Sequence, residues 1–261
     1  IQGRSPLVWG RSGWAGSHRY PGQWGGDAES TVVGMQATLR GGLSHALCNP
    51  GFWSHDIGGF YGPELTEGLY VRWTQFGALS PLMRAHGLRP REPWAFGERA
   101  LEICRSWIRL RYSLLPYLWQ AAHECEVKGL PMMRPLALVF PEDPGSSGID
   151  DEYLLGHDLL VVPIFDDGVD AVQRRFYVPP GIWHDWTTGE VFNGPAYVTR
   201  EYALEDMPLL VRDGALIPTV DVDDDVRNVD DLTSKSWTMR EFGTVKNNLE
   251  FVAFDGKPYI G

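Results

Sequence analysis

Basic residues are in short supply: 23 Lys and Arg stand against 34 Asp and Glu in 261 residues, a net charge of −11. That sign repels phosphate backbones and anionic headgroups, so nucleic acid and membrane surfaces are not the expected partners. No apolar run approaches the ~20 residues that cross a bilayer. Cysteine is scarce too: Cys48, Cys104 and Cys125 are too few for a disulfide framework, and their odd count points to a reducing compartment such as the cytoplasm. Missing as well are His-Glu-x-x-His, paired Cys-x-x-Cys, a Walker-type loop, Gly-x-Ser-x-Gly, and a Gly-x-Gly-x-x-Gly after the first strand-like run. With them go the signatures of zinc peptidases, thiol redox proteins, P-loop enzymes, serine hydrolases and dinucleotide binders. There is no initiator Met and no charged leader before Trp9, so the chain is expected to be a piece of a longer protein.

What the chain has in plenty is aromatics (11 Trp, 10 Tyr, 11 Phe) and loop formers (30 Gly, 19 Pro). Ring faces beside flexible loops suit a flat polar ligand such as a sugar; a well-packed, turn-rich β structure uses the same composition.

The first half alternates short strand-like runs with helical patterns. Pro6–Gly10, Gln23–Asp27 and Gly51–Asp56 read as strands. Val32, Met35, Leu39, Leu43 and Leu47 fall at helical spacing, and Thr66 is a good cap for a helix bearing Tyr70, Trp73 and Phe76. A long helical pattern from Glu98 to Lys128 should break at Pro116. Polar and glycine residues gather just after each strand, as at the catalytic face of a βα barrel; a doubly wound sheet predicts the same pattern. After a Pro/Gly/Ser-rich stretch near 141–148, short apolar runs recur between Asp-Gly, Pro-Gly and Thr-Gly turns, the pattern of an antiparallel β-sandwich. The expected organisation is a barrel part over 1–140, a β-sandwich over 141–220, and an acidic linker with the start of a further β unit over 221–261.

Two clusters carry chemistry. Asp27 follows Trp24-Gly25-Gly26, so an indole supplies an apolar wall and the glycines let a ligand approach. As a general acid or as the N-cap of the next helix, Asp fits equally well in kind, and caps are commoner. The run Trp53-Ser54-His55-Asp56-Ile57-Gly58-Gly59-Phe60 combines rings, imidazole and carboxylate. Strand alternation sends His55 and Asp56 to opposite faces, so one of them faces a site. Arg11 and His86 each follow a short apolar run and can bond a ligand or serve the structure.

Taken in order, Arg11-Ser12, Trp24-Gly25-Gly26-Asp27, Leu39-Arg40-Gly41-Gly42-Leu43-Ser44, Phe52 through Phe60, Arg84-Ala85-His86-Gly87 and Pro131-Met132-Met133-Arg134-Pro135 resemble glycoside hydrolase family 31, in its α-xylosidase-like branch. The match runs from about Pro6 to Pro218. The resemblance implies the C-terminal part of a (β/α)8 barrel followed by an antiparallel β-sandwich, and a retaining exo-acting α-glycosidase that needs no metal or organic cofactor. Its substrate would be an oligosaccharide or other α-glycoside ending in α-linked xylose or glucose. It implies that Asp27 is the acid/base, that Arg11 and His86 bond the terminal sugar, that Trp24, Trp53 and Phe60 are pocket aromatics, and that Asp56 is a carboxylate close by. The family's nucleophile is an Asp in a Lys-Trp-x-Asp-x-Asn-Glu type motif, which this sequence does not contain. Retaining hydrolysis needs two carboxylates, so the chain alone is expected to be inactive. Rival expectations are an α-glucosidase or transglycosylase of the same family, a metal-dependent barrel hydrolase using His55, Asp56 and His86, and a non-catalytic carbohydrate-binding module in 141–218.

Overall fold

The computed structural model describes residues 8–11, 13–20, 22–48, 51–245 and 251–259. Strand β1 (Trp9–Gly10), strand β2 (Gly22–Trp24), helix α1 (Val32–Ala46), strand β3 (Phe52–Ser54) and helix α2 (Glu67–Ala78) form the first unit. The strands make a parallel sheet in the order β1-β2-β3, and a further parallel bridge joins Ile57 to Ala85. Sequential parallel strands linked through helices are the βα arrangement expected from the alternating pattern.

The helix starts follow from their caps. Thr31 caps α1, its Oγ1 accepting the Gly34 N–H at 3.0 Å, so the N-cap is not Asp27, whose carboxylate is left for other partners. Met35, Leu39, Leu43 and Ala46 bury one side of α1. Thr66 caps α2 by accepting the Leu69 N–H at 3.2 Å, and α2 is buried on every side from Gly68 to Ala78. That burial includes Arg72, which donates to the carbonyls of Ala203 (3.0 Å) and Asp206 (2.6 Å). The long helical pattern breaks into helix α3 (Glu98–Ser113) and helix α4 (Leu115–Lys128). Pro116 sits in the first turn of α4, where its missing N–H leaves no helical bond unmade.

Beyond α4 come strand β4 (Met133–Arg134), a single helical turn α5 (Leu136–Val139), and strands β5 (Tyr153–Leu155), β6 (Leu159–Val161), β7 (Val172–Asp185), β8 (Val191–Tyr202) and β9 (Leu209–Arg212). They form a six-stranded antiparallel sheet in the order β4-β5-β6-β9-β7-β8. The sheet takes in β4, upstream of the expected division at 140/141. The apolar runs Phe176–Val178 and Ile182–Trp186, read as separate strands, belong almost wholly to the single strand β7. Pro179-Pro180-Gly181 does not end it; the ladder with β8 shifts register between Val178 and Gly181, and a bulge absorbs the residues that cannot donate. Alternate residues bury opposite faces. Leu155, Leu159, Val161, Leu209 and Val211 join the core shared with α1 and α2. Leu154, Leu160 and Leu210 join Phe176, Val178 and Trp183 in a second core, which the bent β7–β8 hairpin closes into a sandwich.

Strand β10 (Leu216–Val220) pairs antiparallel with strand β11 (Trp237–Glu241), across the expected division at 220/221. The acidic stretch between them holds a short 3-10 turn, Val229–Leu232, closed by a capping box from Asn228 and Asp231. Strands β12 (Phe251–Val252) and β13 (Pro258–Tyr259) pair with each other, and Gln120 and Trp119 of α4 donate to the carbonyls of Val252 (2.7 Å) and Ala253 (3.0 Å). Residues 246–250, within the further β unit expected over 221–261, lie outside the described residues. Among the described residues no helix is long and apolar enough to cross a membrane.

Candidate active site

The parallel register sets Trp24 beside Ser54 and Gln23 beside Trp53, so the two pairs face opposite sides of the sheet. Trp24, Ser54 and Asp56 share one face. Four of the sequence-derived candidates meet there or at its rim: Trp24, Asp56, Asp27 and Arg11.

Asp27 follows β2, about one-third exposed, with its Oδ2 3.6 Å from Arg11 Nη1. The Arg11 guanidinium lies 5.1 Å from the centre of the Trp24 ring. Asp56 is fully buried, its Oδ1 3.2 Å from Arg84 Nε. Arg84 in turn lies 4.6 Å from the centre of the same Trp24 ring and 5.4 Å from that of Trp9. One indole thus contacts two guanidiniums, each paired with a carboxylate. This is favourable because the electron-rich ring face attracts cations while the acids balance their charge. Arg84 is a member of the site that sequence reasoning did not assign; its signal is a cation two residues before His86, at the end of the same apolar run.

Burial pushes the Asp56 carboxyl above its usual range. The charges of Arg84 and His86 oppose this, and Asp27 adds to it. The Trp24 indole N–H is close enough to favour the ionised form without completing a hydrogen bond. Ser54 Oγ and both Asp56 oxygens are likewise buried without a formed hydrogen bond among the described residues. Buried polar atoms of this kind are uncommon. Four of them here lie on one face, which equips that face to bond a polar ligand.

Phe60 and His86 stack at 5.4 Å between ring centres, Phe60 half-buried and His86 exposed. Their loops are tied to the acid's segment: Phe60 N–H donates to Ala28 O at 2.7 Å, and Leu88 N–H to Phe60 O at 2.9 Å.

Trp53 approaches the site from the helix side of the sheet. It is 4% exposed and its ring packs against Gly25 and Gly42, behind the strand and against α1. There it lines a cavity of about 400 Å³ together with Trp24, Arg11 and Asp27. His55 also turns to the helix side, as alternation requires. Its Nδ1 accepts the Trp73 indole N–H at 2.9 Å, its Nε2 lies 3.0 Å from Ser80 Oγ, and its ring stacks on Phe76 at 4.2 Å. Both ring nitrogens are engaged, and burial pushes its pKa down to about 3. The ligand set His55, Asp56 and His86 is therefore not assembled, and among the described residues no group of three metal-ligating side chains is positioned to hold an ion.

Comparison with known proteins fits this geometry. Residues 1–121 match the glycosyl hydrolases family 31 TIM-barrel domain, and residues 129–217 match the family 31 C-terminal domain. An α-xylosidase of Emericella nidulans is 39% identical over 229 residues, covering 84% of this chain and 29% of its own length. Alpha-glucosidase 2 of Bacillus thermoamyloliquefaciens is 37% identical over 226 residues, covering 85% of this chain and 28% of its own. The chain therefore spans under one-third of the length of these relatives. Among solved structures, a family 31 dextranase of Flavobacterium johnsoniae complexed with isomaltotriose superposes with a TM-score of 0.85 at 34% identity, over 95% of this chain and 32% of that one. An α-xylosidase of Xanthomonas citri superposes with a TM-score of 0.80 at 33% identity, over 88% of this chain and 26% of that one. Parallel βα units, a following antiparallel sheet and the ordered motifs together place this chain in glycoside hydrolase family 31.

Proposed function

We propose that this chain carries the acid/base half of a retaining, exo-acting α-glycosidase site that releases terminal α-linked xylose or glucose. The observation that carries the reading is Asp27: a partly exposed carboxylate at a strand's C-terminal end, freed from capping duty, beside a guanidinium and an indole. In the reaction, the Asp27 carboxyl protonates the glycosidic oxygen as the bond breaks. Its carboxylate then takes a proton from the water that releases the sugar. Arg11 and His86 bond ring hydroxyls, Trp24 and Phe60 pack on the sugar's C–H faces, and Asp56 with Arg84 accepts and donates at the base of the face.

Covalent retaining chemistry needs a second carboxylate roughly 5–5.5 Å away. The nucleophile motif is not in this sequence, so that group is supplied by polypeptide outside these 261 residues, and the chain alone does not turn over. Supporting the substrate class are an α-xylosidase and an α-glucosidase at 39% and 37% identity. The second of these also keeps α-glucosidase action as the alternative within the family.

The test uses a longer polypeptide in which these residues follow a nucleophile-bearing segment. Wild type should hydrolyse aryl α-xyloside or α-glucoside, and Asp27→Asn should lose roughly 100- to 10,000-fold on substrates with poor leaving groups while losing far less on a dinitrophenyl glycoside. Near-wild-type turnover of a poor leaving group by Asp27→Asn would refute the assignment, as would turnover by the isolated 261-residue chain.

A further inference from the structure

We infer that Arg91 is the positioning residue of this site, a buried guanidinium that fastens the three loops carrying Asp27, Asp56 with Phe60, and His86. The inference rests on the α-glycosidase reading for its catalytic consequence, though not for the fastening itself.

Arg91 lies outside every motif that the sequence singles out, and it is 6% exposed. Its Nη2 donates to Gly59 O at 2.8 Å and its Nε to the same oxygen at 3.2 Å. Nη2 also reaches Ser30 Oγ at 3.3 Å. Nη1 closes its own turn on the carbonyls of Pro90 (3.1 Å) and Arg89 (3.3 Å). The fork therefore touches the loop of Asp56 and Phe60 through Gly59, and the segment of Asp27 through Ser30. It touches the loop of His86 through Gly87, where an added Cβ would meet the guanidinium carbon at 2.8 Å. The Arg91 backbone is itself tied down, since Tyr70 of α2 donates its hydroxyl to Arg91 O at 2.7 Å.

The close approach depends on Gly59. Its φ of +73° suits glycine, and a Cβ there would come within 2.7 Å of Ser30 N. With no side chain in the way, the two loops zip by backbone bonds: Ser30 N–H to Tyr61 O at 2.7 Å and Phe60 N–H to Ala28 O at 2.7 Å. Removing the guanidinium leaves the Gly59 carbonyl buried without its two strongest donors. Lysine does not replace it, because one ammonium cannot span the fork's three directions.

Hydrogen exchange on the 261-residue chain reads the fastening directly. In Arg91→Lys, the amides of Ser30, Phe60 and Leu88 should exchange about tenfold faster or more, while amides of β6 and β9 keep wild-type rates. Unchanged exchange at those three amides, or equal acceleration everywhere, would overturn the fastening. Arg91→Ala should show the same local pattern more strongly; if it does not fold, Arg91→Lys decides. In the longer polypeptide, Arg91→Lys should cost about 10- to 100-fold in kcat on a methyl α-glycoside, as misplacement of a catalytic group does, and under about threefold on a dinitrophenyl α-glycoside, which needs little protonation. A uniform loss on both substrates would show a merely structural role. If wild type hydrolyses neither, the α-glycosidase reading fails, while the exchange result still stands or falls alone.

Discussion

Glu152 stores a large pH dependence in the second half of the chain. It is 1% exposed, and its Oε1 accepts the Tyr177 N–H at 2.7 Å while Oε2 has no hydrogen bond. Burial, with a smaller push from neighbouring Asp151, raises its carboxyl from 4.5 to about 8, against the bond from Tyr177 and the charge of Arg174. The carboxyl is thus neutral in the fold at pH 7 and ionised in the unfolded chain. Between these two values the unfolded state binds fewer protons, so stability falls as pH rises. It is fully present below about 4.5 and lost as pH climbs through 8. One pH unit in that window costs about 1.4 kcal/mol, so the whole span amounts to roughly 4–5 kcal/mol. Glu152→Gln keeps an oxygen for Tyr177 and cannot ionise. Urea unfolding of the 261-residue chain at pH 5.5, 6.5 and 7.5, followed by tryptophan fluorescence, should show wild type losing stability relative to Glu152→Gln by about 1.4 kcal/mol per unit. All other groups are common to the two proteins and cancel. Parallel stability curves for the two would refute the claim that Glu152 is buried as the neutral acid.

His55 should act at the opposite end of the scale. Its pKa is pushed from 6.5 down to about 3 by burial, so its contribution is intact above 6.5 and is lost as pH falls toward 3; a variant with a neutral residue here should show a shallower acid transition in fluorescence-detected unfolding. Gly42 lets α1 rest on Trp53, and an added Cβ would lie 2.7 Å from the indole ring. Gly42→Ala should therefore destabilise by about 1–3 kcal/mol through overpacking, measured by the shift in urea midpoint, despite alanine's better helix propensity.

Local chemistry was readable because it acts within a few residues. Thr66 starts a helix with its own hydroxyl, Pro116 ends one with its own ring, and the Trp24-Gly25-Gly26-Asp27 turn presents its acid without help. Face assignment was only partly legible. Alternation separates His55 from Asp56, but without the register between β2 and β3 nothing says that Trp53 packs toward α1 while Trp24 meets Arg11 and Arg84. Pro179-Pro180-Gly181 looked like the end of a strand because a bulge and a break share the same residues, and only the partner strand decides between them. Arg91 and Arg84 were missed for a related reason. An arginine's meaning lies in which distant carbonyls, rings and carboxylates surround it, and those are set by tertiary structure.

The Arg72 clamp bears on how such proteins can be cut and recombined. Its guanidinium sits in the middle of α2, yet the carbonyl oxygens that solvate it belong to the turn leading into β9. A shortened protein ending near residue 140 would keep the cation and its bond to Gln75 Oε1 but discard its three carbonyl acceptors, leaving a poorly solvated charge in the helical layer. A foreign sheet grafted onto this α2 would need an equivalent turn to meet the same guanidinium.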